Sequence, residues 1–579
     1  MSLPKKLEIK IMKLVIIAGG SGNDALIKGI KKLFSKNSNV DVNVIVNAYD
    51  NGKSTGVCRA VTNTLGVSDI RKNHSRLYKA TYGDDCDDNL LEFYNGRYDF
   101  PKGKELQNVL DLLDKWNMHE YDEFAQSFFA RPETKNYEFK DFSVSNIIYS
   151  EMYSKWGYEK TNKHFCDKMN LPDFVTLNSF DNIFIQAETQ TGRIISDEGE
   201  IVCWNNPDDK IKKMHYVLKG KSIGLNPRAI KLIDEADLIV ISTGTFWSSI
   251  QPTIDYLNFY KYINNSKAKK IWAMNNEEDG DSFGVTNVDF LKHMEKIGLD
   301  LSQFTILLNA DARESLRMKN NDYTFIVKSM GNSKGKHDCN KYAKALFQVY
   351  YGLENANEYD KIIFDFDDTI WARNANCDME KISLENVKMI NDYLSNRAII
   401  ISGNSFDSID KKLSAVYGKK LKNFGCDIWA DANSTLYRKG EKVDFIDEFV
   451  IDKRCEKIVD DLKKRYSLHV EKVGDNVVNY KIKPLSELER KLLVDLVKEK
   501  YSGEIDCRIT GKTTVDILTP NNDKSGVFDH CRYDKLNTLF IGDEIISGND
   551  KALADLCSKS IEVRDINETN TLLKLLIGD

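Results

Sequence analysis

The apolar run Leu14-Val15-Ile16-Ile17-Ala18 breaks at Gly19-Gly20-Ser21-Gly22, and a helical pattern follows from about Asp24 to Phe34. A second strand pattern, Val42 to Ala48, runs into Tyr49-Asp50-Asn51-Gly52-Lys53-Ser54-Thr55-Gly56. Strand, tight glycine turn, helix and strand again is the opening of a doubly wound parallel sheet, since parallel neighbours need a crossover helix between them. The pattern returns near 226. Asn226 is placed to cap a helix whose first position is Pro227, with Ile230, Ile233 and Ala236 along one face. The strand Leu238–Ser242 then breaks into Thr243-Gly244-Thr245 before another helix.

A chain of 579 residues exceeds what one hydrophobic core usually organises. Gly352-Leu353-Glu354-Asn355-Ala356-Asn357-Glu358 reads as a boundary, and a new strand starts at Lys361. The expected division is two α/β domains, 1–352 and 353–579. With 29% charged and 41% hydrophobic residues and only 9 prolines, the composition is that of a soluble globular protein. Lys+Arg at 82 against Asp+Glu at 88 leaves a net charge of −6, without the basic excess of a nucleic-acid binder. The apolar runs are strand-sized, far below the roughly 20 residues that cross a bilayer, so no membrane partner is expected. Met1–Lys6 holds no apolar signal core. The 11 cysteines are scattered without a C-x-x-C pair and the 8 histidines are dispersed, as in a cytoplasmic protein with reduced thiols and no locally encoded zinc site. The acidic run Asp84, Asp85, Asp87, Asp88 reads as a solvated loop.

The second half is chemically legible. Strand Lys361–Phe364 ends in Asp365-Phe366-Asp367-Asp368-Thr369. Carboxylates at i and i+2 beyond a parallel strand lie at its carboxyl edge, where open α/β sheets place their sites. One can attack phosphorus while the other handles protons. Three further signals follow in order: strand Ala398–Ile401 ending in Ser402-Gly403-Asn404, then Lys524 after Pro520-Asn521-Asn522-Asp523, then strand Thr538–Ile541 ending in Gly542-Asp543-Glu544, with Gly548-Asn549-Asp550 shortly after.

These four ordered signals, over about 355–579, resemble the haloacid-dehalogenase phosphohydrolase superfamily. The stretch between Ser402 and Lys524 is similar to the large α/β cap of its phosphomannomutase and sugar-phosphatase branch, with the cap expected at about 425–515. That stretch carries a capping box, Ser486-x-x-Glu489, between strand-like Val477–Ile482 and Thr513–Leu518. The resemblance implies Asp365 as nucleophile, Asp367 as acid and base, and Ser402 and Lys524 as holders of the phosphoryl oxygens. It also implies Mg²⁺ held by Asp365, the backbone carbonyl of Asp367, Asp543 and Asp550.

In the first half, Gly19, Gly20, Ser21 and Gly22 would let backbone N–H groups approach a phosphate at a helix start, though such turns also occur for packing alone. The company they keep resembles the 2-phospho-L-lactate transferase (CofD) family and its YvcK-like relatives. Those proteins carry G-G-G-T-G, A-D-D-G-G-S-S-G and G-D-I-R-N, which here read Gly19–Gly22, Ala48–Gly56 and Ser68-Asp69-Ile70-Arg71. The family's G-H-S-x-G-N is similar to Asp141–Asn146, and its N-P-x-A-I…G-x-x-x-T-S-I-x-P to Asn226–Pro252. Tyr49 stands where the family has an acid, Phe142 where it has a histidine, and Lys72 where it has an asparagine. The resemblance covers roughly 13–330 and implies a nucleotide or nucleotide-sugar ligand near Gly19, Gly20, Ser21, Gly22, Asp50, Asn146, Asn226, Gly244, Thr245 and Ser248. Each of these residues also has a plain structural role open to it, and Phe246-Trp247 reads as core rather than base-stacking.

The functional expectation is a bifunctional enzyme. A transferase-like domain would act on a nucleotide-diphosphate-linked donor, and a Mg²⁺-dependent phosphatase on a small phosphorylated metabolite. The alternative is a nucleotide-sugar sensor that gates the phosphatase. Oligomeric state is open, a homodimer being one option.

Overall fold

A computed structural model describes residues 11–20, 22–34, 40–172, 174–276, 280–310, 323–332, 334, 336–373, 376–417, 424–430, 435–443, 453–466, 469–472, 480–483, 486–501, 505–510, 514–518, 523–531, 533–546 and 550–577. The chain forms two compact units, one of Ile11–Tyr350 and one built on Tyr351–Asp579.

The first unit is organised by a seven-stranded, wholly parallel sheet. Its spatial order is Thr324–Lys328, Phe304–Asn309, Lys269–Ala273, Leu238–Ile241, Met12–Ile17, Val40–Val46, Val175–Leu177. From the first strand the chain builds outward in one direction to Val175–Leu177, then returns and builds the other way from Leu238–Ile241. The order therefore reverses between Met12–Ile17 and Leu238–Ile241, which is where a crevice opens in such sheets. Apart from the half-buried Lys13 near the start of the first, both strands are apolar and fully buried, as expected of strands covered on both faces. Asn226 caps the helix Pro227–Asp234 as its sequence position predicts, accepting from the Arg228 N–H at 3.0 Å. The acidic run is ordered locally: Gly83–Asp85 is a short 3₁₀ turn, and Asp87 caps Asp88–Asn95. Phe246 and Trp247 are buried against Phe290 and His293, a core role.

The second unit carries its own seven-stranded sheet, ordered Glu441–Val443, Thr435–Arg438, Asp427–Ala430, Ala398–Ile401, Lys361–Asp365, Thr538–Gly542, Lys559–Glu562. The last five in that order run parallel, and the first two close one edge as an antiparallel hairpin. A separate antiparallel sheet, His469–Lys472, Tyr480–Lys483, Thr514–Leu518, Asp506–Thr510, is the inserted layer. It has its own core, in which Ile458 and Leu462 of helix Lys453–Tyr466 and Leu493 and Val497 of helix Glu487–Tyr501 pack on Ile482, Val515 and Ile517. The Ser486–Glu489 capping box forms in both directions, at 2.8 and 3.3 Å. Expected at about 425–515, the insertion has described elements running from Lys453 to Leu518. The strands Asp427–Val443 extend the parent sheet instead, because Trp429 and Leu436 are buried with Ile363, Ile399 and Ile401 in that sheet's core.

Candidate functional site

Three neighbouring parallel strands of the second unit, Ala398–Ile401, Lys361–Asp365 and Thr538–Gly542, end at Ser402, at Asp365 and Asp367, and at Asp543. Their shared direction puts all of these side chains on one carboxyl edge. Asp365, Asp367, Ser402, Lys524 and Asp550 are each buried. The bend after Asp365 needs a left-handed residue, Asp368 at φ +60°, whose carboxylate is held by the Arg373 N–H at 3.1 Å.

Lys524 supplies the centre of the cluster. Its ammonium donates to Asp365 Oδ1 at 2.6 Å and also to Asp550 Oδ1. Burial works against that ammonium, yet the charges of Asp365 and Asp550 outweigh it and hold the lysine above its ordinary pKa. Oxygens of Asp365, Asp543 and Asp550 lie within 4.8 Å of one another. Burial, then the neighbouring Asp550 and Glu544 charges, push Asp543 up to about 6. Thr369 Oγ1 donates to Asp543 at 3.4 Å. Asp367 is held separately: Lys412 Nζ donates to its Oδ1 at 2.8 Å, and Asn404 Nδ2 to its Oδ2. The three carboxylates Asp365, Asp543 and Asp550 form an all-oxygen donor set of the kind that fits one divalent hard cation. Ser402 is buried, and its hydroxyl accepts from the Asn404 N–H at 3.1 Å. Gly548 and Asn549, and Pro520–Asn522, lie outside the described residues.

In the first unit, the two loops at the sheet's reversal point touch backbone to backbone. Thr243 Oγ1 donates to the Gly22 carbonyl at 2.5 Å, and a Cβ on Gly22 would overlap the Thr243 carbonyl and come within 2.7 Å of Gly244 N. A Cβ on Gly19 would come within 2.6 Å of Ser249 Oγ. Asn275 clasps the Gly244 turn, accepting from its N–H at 3.1 Å and donating to its carbonyl at 2.9 Å. Ser248 donates to Thr245 Oγ1 at 2.7 Å. Asp50 accepts from the Gly52 N–H at 2.9 Å. Ser21 lies outside the described residues. Gly19 and Gly22 are therefore brought against the Thr243–Ser249 turn by the fold.

Asn146 and Asn226 are committed elsewhere. Asn146 is fully buried, its amide reaching Ser54 and Thr55 hydroxyls at 2.9 and 3.2 Å while its oxygen accepts from Arg71 at 2.8 Å. Asn226 ties its helix to the Leu177 carbonyl at 2.9 Å. Tyr49 and Phe142, the departures from the family pattern, are core side chains. One residue beyond Lys72, Asn73 is fully buried and donates to the Gly19 carbonyl at 3.2 Å.

Glu198, at the start of the short helix Glu198–Val202, is a member that the sequence pattern did not single out. Burial, then the charges of Asp50 and Asp69, raise it to about 9, so it keeps its proton at neutral pH. Asp69 is raised to about 6 by burial, with Lys72 opposing and Asp50 adding. Lys412 is the corresponding omission in the second unit. In sequence it reads as one of two helix-surface lysines, and only the helix phase set by Ile409 and Leu413 distinguishes it.

The first unit is thus a Rossmann-like doubly wound domain whose glycine turns meet backbone to backbone at its reversal point. The second is an α/β domain on a largely parallel seven-stranded sheet with an α/β insertion. The profile of the family 2-phospho-L-lactate transferase CofD matches residues 14–353, and the chain belongs to that family. Over 302 residues it is 23% identical to the gluconeogenesis factor of Bacillus subtilis, covering 52% of this chain and 79% of that one. A solved member of the upf0052 family from Bacillus halodurans aligns with 58% of this chain and 99% of its own, at 18% identity and a TM-score of 0.44. A haloacid dehalogenase-like hydrolase from Bacteroides thetaiotaomicron aligns with 37% of this chain and 98% of its own, at 12% identity and a TM-score of 0.29. Among the described residues no helix is long and apolar enough to cross a membrane.

Proposed function

We propose that the second unit is a phosphohydrolase of small phosphorylated metabolites, and that the first binds a nucleotide-diphosphate-linked ligand and transfers its phosphate-bearing group. What supports the first part is one observation: Lys524 bonded to Asp365 and Asp550, with Asp543 beside them, at the carboxyl edge of a parallel sheet. Asp365 attacks phosphorus in line and forms an aspartyl-phosphate as the bond to the leaving oxygen breaks. Asp367 gives that oxygen its proton, then takes one from the water that hydrolyses the acyl phosphate. Ser402 and Lys524 hold the phosphoryl oxygens, where charge accumulates in a loose transition state. A divalent cation such as Mg²⁺, held by Asp365, Asp543, Asp550 and the Asp367 carbonyl, supplies charge neutralisation when bound.

The test is hydrolysis of para-nitrophenyl phosphate by the full chain with Mg²⁺. Asp365→Asn keeps the shape and removes the attacking charge, so turnover should fall by several orders of magnitude. Wild-type turnover in that variant would end the reading.

A second reading of the first unit has its own support, because the Bacillus subtilis relative is named a factor rather than a transferase. On that reading the crevice senses a nucleotide-sugar and gates the hydrolase. Calorimetry with guanosine and uridine diphosphates and their sugar conjugates, followed by a turnover assay, separates the two. Binding with turnover supports a transferase, binding without it a sensor, and no binding at millimolar ligand removes both.

A further inference from the structure

Proton transfer requires the donor to be aimed at the leaving atom, so what holds Asp367 matters as much as its presence. Both of its oxygens are held, by two side chains from the segment that follows strand Ala398–Ile401. Asn404, in the loop, donates to Oδ2. Lys412, one turn from the end of helix Phe406–Tyr417, donates to Oδ1 at 2.8 Å. Ile409 and Leu413 of that helix are fully buried, which fixes its roll and sets Lys412 beside them at the rim. The Lys412 ammonium also lies 5.0 Å from the ring centroid of Phe366, the residue between the two aspartates. Its partner carboxylate is 9% exposed while Lys412 itself keeps 27%. The pair is therefore unlike two solvated surface charges, which contribute little and hold no fixed geometry. Lys524 contacts Asp365 and Asp550, so the two aspartates of the motif have separate lysines.

We propose that Lys412 and Asn404 are positioning residues that fix the Asp367 carboxylate at the angle from which it protonates the leaving group. The inference rests on the phosphohydrolase reading above. Lys412 is assigned no contact with the phosphoryl group; it acts through Asp367.

The experiment compares full-length wild type, Lys412→Met and Lys412→Arg on phenyl phosphate and para-nitrophenyl phosphate. Phenolate is the more basic leaving group, with a conjugate-acid pKa of about 10 like that of tyrosine, and depends more on a delivered proton. Lys412→Met should lower kcat on phenyl phosphate roughly ten- to a hundred-fold, with KM within about two-fold. The loss on para-nitrophenyl phosphate should be clearly smaller, and Lys412→Arg should recover most of kcat. Equal losses on both substrates, an effect on KM alone, or wild-type kcat in a folded Lys412→Met would each overturn the inference. Should Lys412→Met fail to fold, Asn404→Ala is read against the same two substrates by the same criteria. Asp365→Asn runs alongside: turnover surviving in it would refute the phosphohydrolase reading, whereas a dead Asp365→Asn with an unaffected Lys412→Met refutes only the positioning role.

Discussion

Gly22→Ala tests whether the crevice of the first unit depends on close backbone approach. The added Cβ would overlap the Thr243 carbonyl and sit 2.7 Å from Gly244 N. Ordinary carbon contacts are about 3.5 Å, so the two loops must part by ~1 Å. Backbone cannot rotate away as a side chain tip can. Overpacking of this kind costs about 1–3 kcal/mol, or a melting shift of roughly 2–6 °C in a domain of this size. It also separates the two turns whose N–H groups would face a phosphate, so affinity for uridine or guanosine diphosphate should drop at least about ten-fold, equivalent to ~1.4 kcal/mol. Gly244→Ala is the matched control on the opposite loop. Its Cβ would meet Ile250 at 3.4 Å, an ordinary contact, and its melting point should stay near wild type. Differential scanning calorimetry and isothermal titration on the three full-length proteins make the comparison. If Gly22→Ala melts and binds like wild type, or Gly244→Ala is equally damaging, the close-approach argument is wrong.

Lys524→Met leaves the buried Asp365 and Asp550, with the half-buried Asp543 beside them, without their ammonium, which should cost about 3–5 kcal/mol in chemical denaturation without added metal. Added Mg²⁺ should then raise its melting point by more than it raises that of wild type; an equal shift would argue against a cation site among these carboxylates. Chelation should abolish phosphatase turnover in wild type and Mg²⁺ restore it, as a progress curve would show. Asp181 is buried, and although burial alone would raise it, donors from Ser222, Tyr256, Ile223 and Gly224 hold its pKa below the ordinary value. Its contribution is present above the unfolded value of about 3.9 and is lost as pH falls through the folded one. Asp181→Asn should therefore destabilise at pH 7, with the gap to wild type narrowing below about pH 4; a pH-independent gap in urea titrations would contradict this.

What the sequence determined by itself was the part of the architecture written in short-range patterns. Alternating strands and helices, the Asn226-Pro227 helix start and the Ser486–Glu489 box all depend on residues within a few positions of one another, and each formed as its spacing required. The carboxyl-edge location of Asp365, Ser402 and Asp543 follows equally, because a residue just beyond a parallel strand has only one edge of the sheet to occupy. The tertiary structure decided the partners. Lys524 and Asp365 meet across 159 residues, and Lys412 reaches Asp367 only because the helix roll is set by buried neighbours. Burial and the neighbouring Asp50 and Asp69 charges raise the Glu198 pKa, a property of the assembled fold and of no local motif. Asn146 and Asn226 could be ligand contacts or structural residues in sequence terms, and the fold gives each of them hydrogen-bond partners within the protein. The strands of Asp427–Val443 likewise joined the parent sheet because Trp429 and Leu436 had a core to fill there. Periodicity and caps are local energies and can be read along the chain, whereas charge pairing, burial and the choice of sheet are settled only when distant segments compete for the same space.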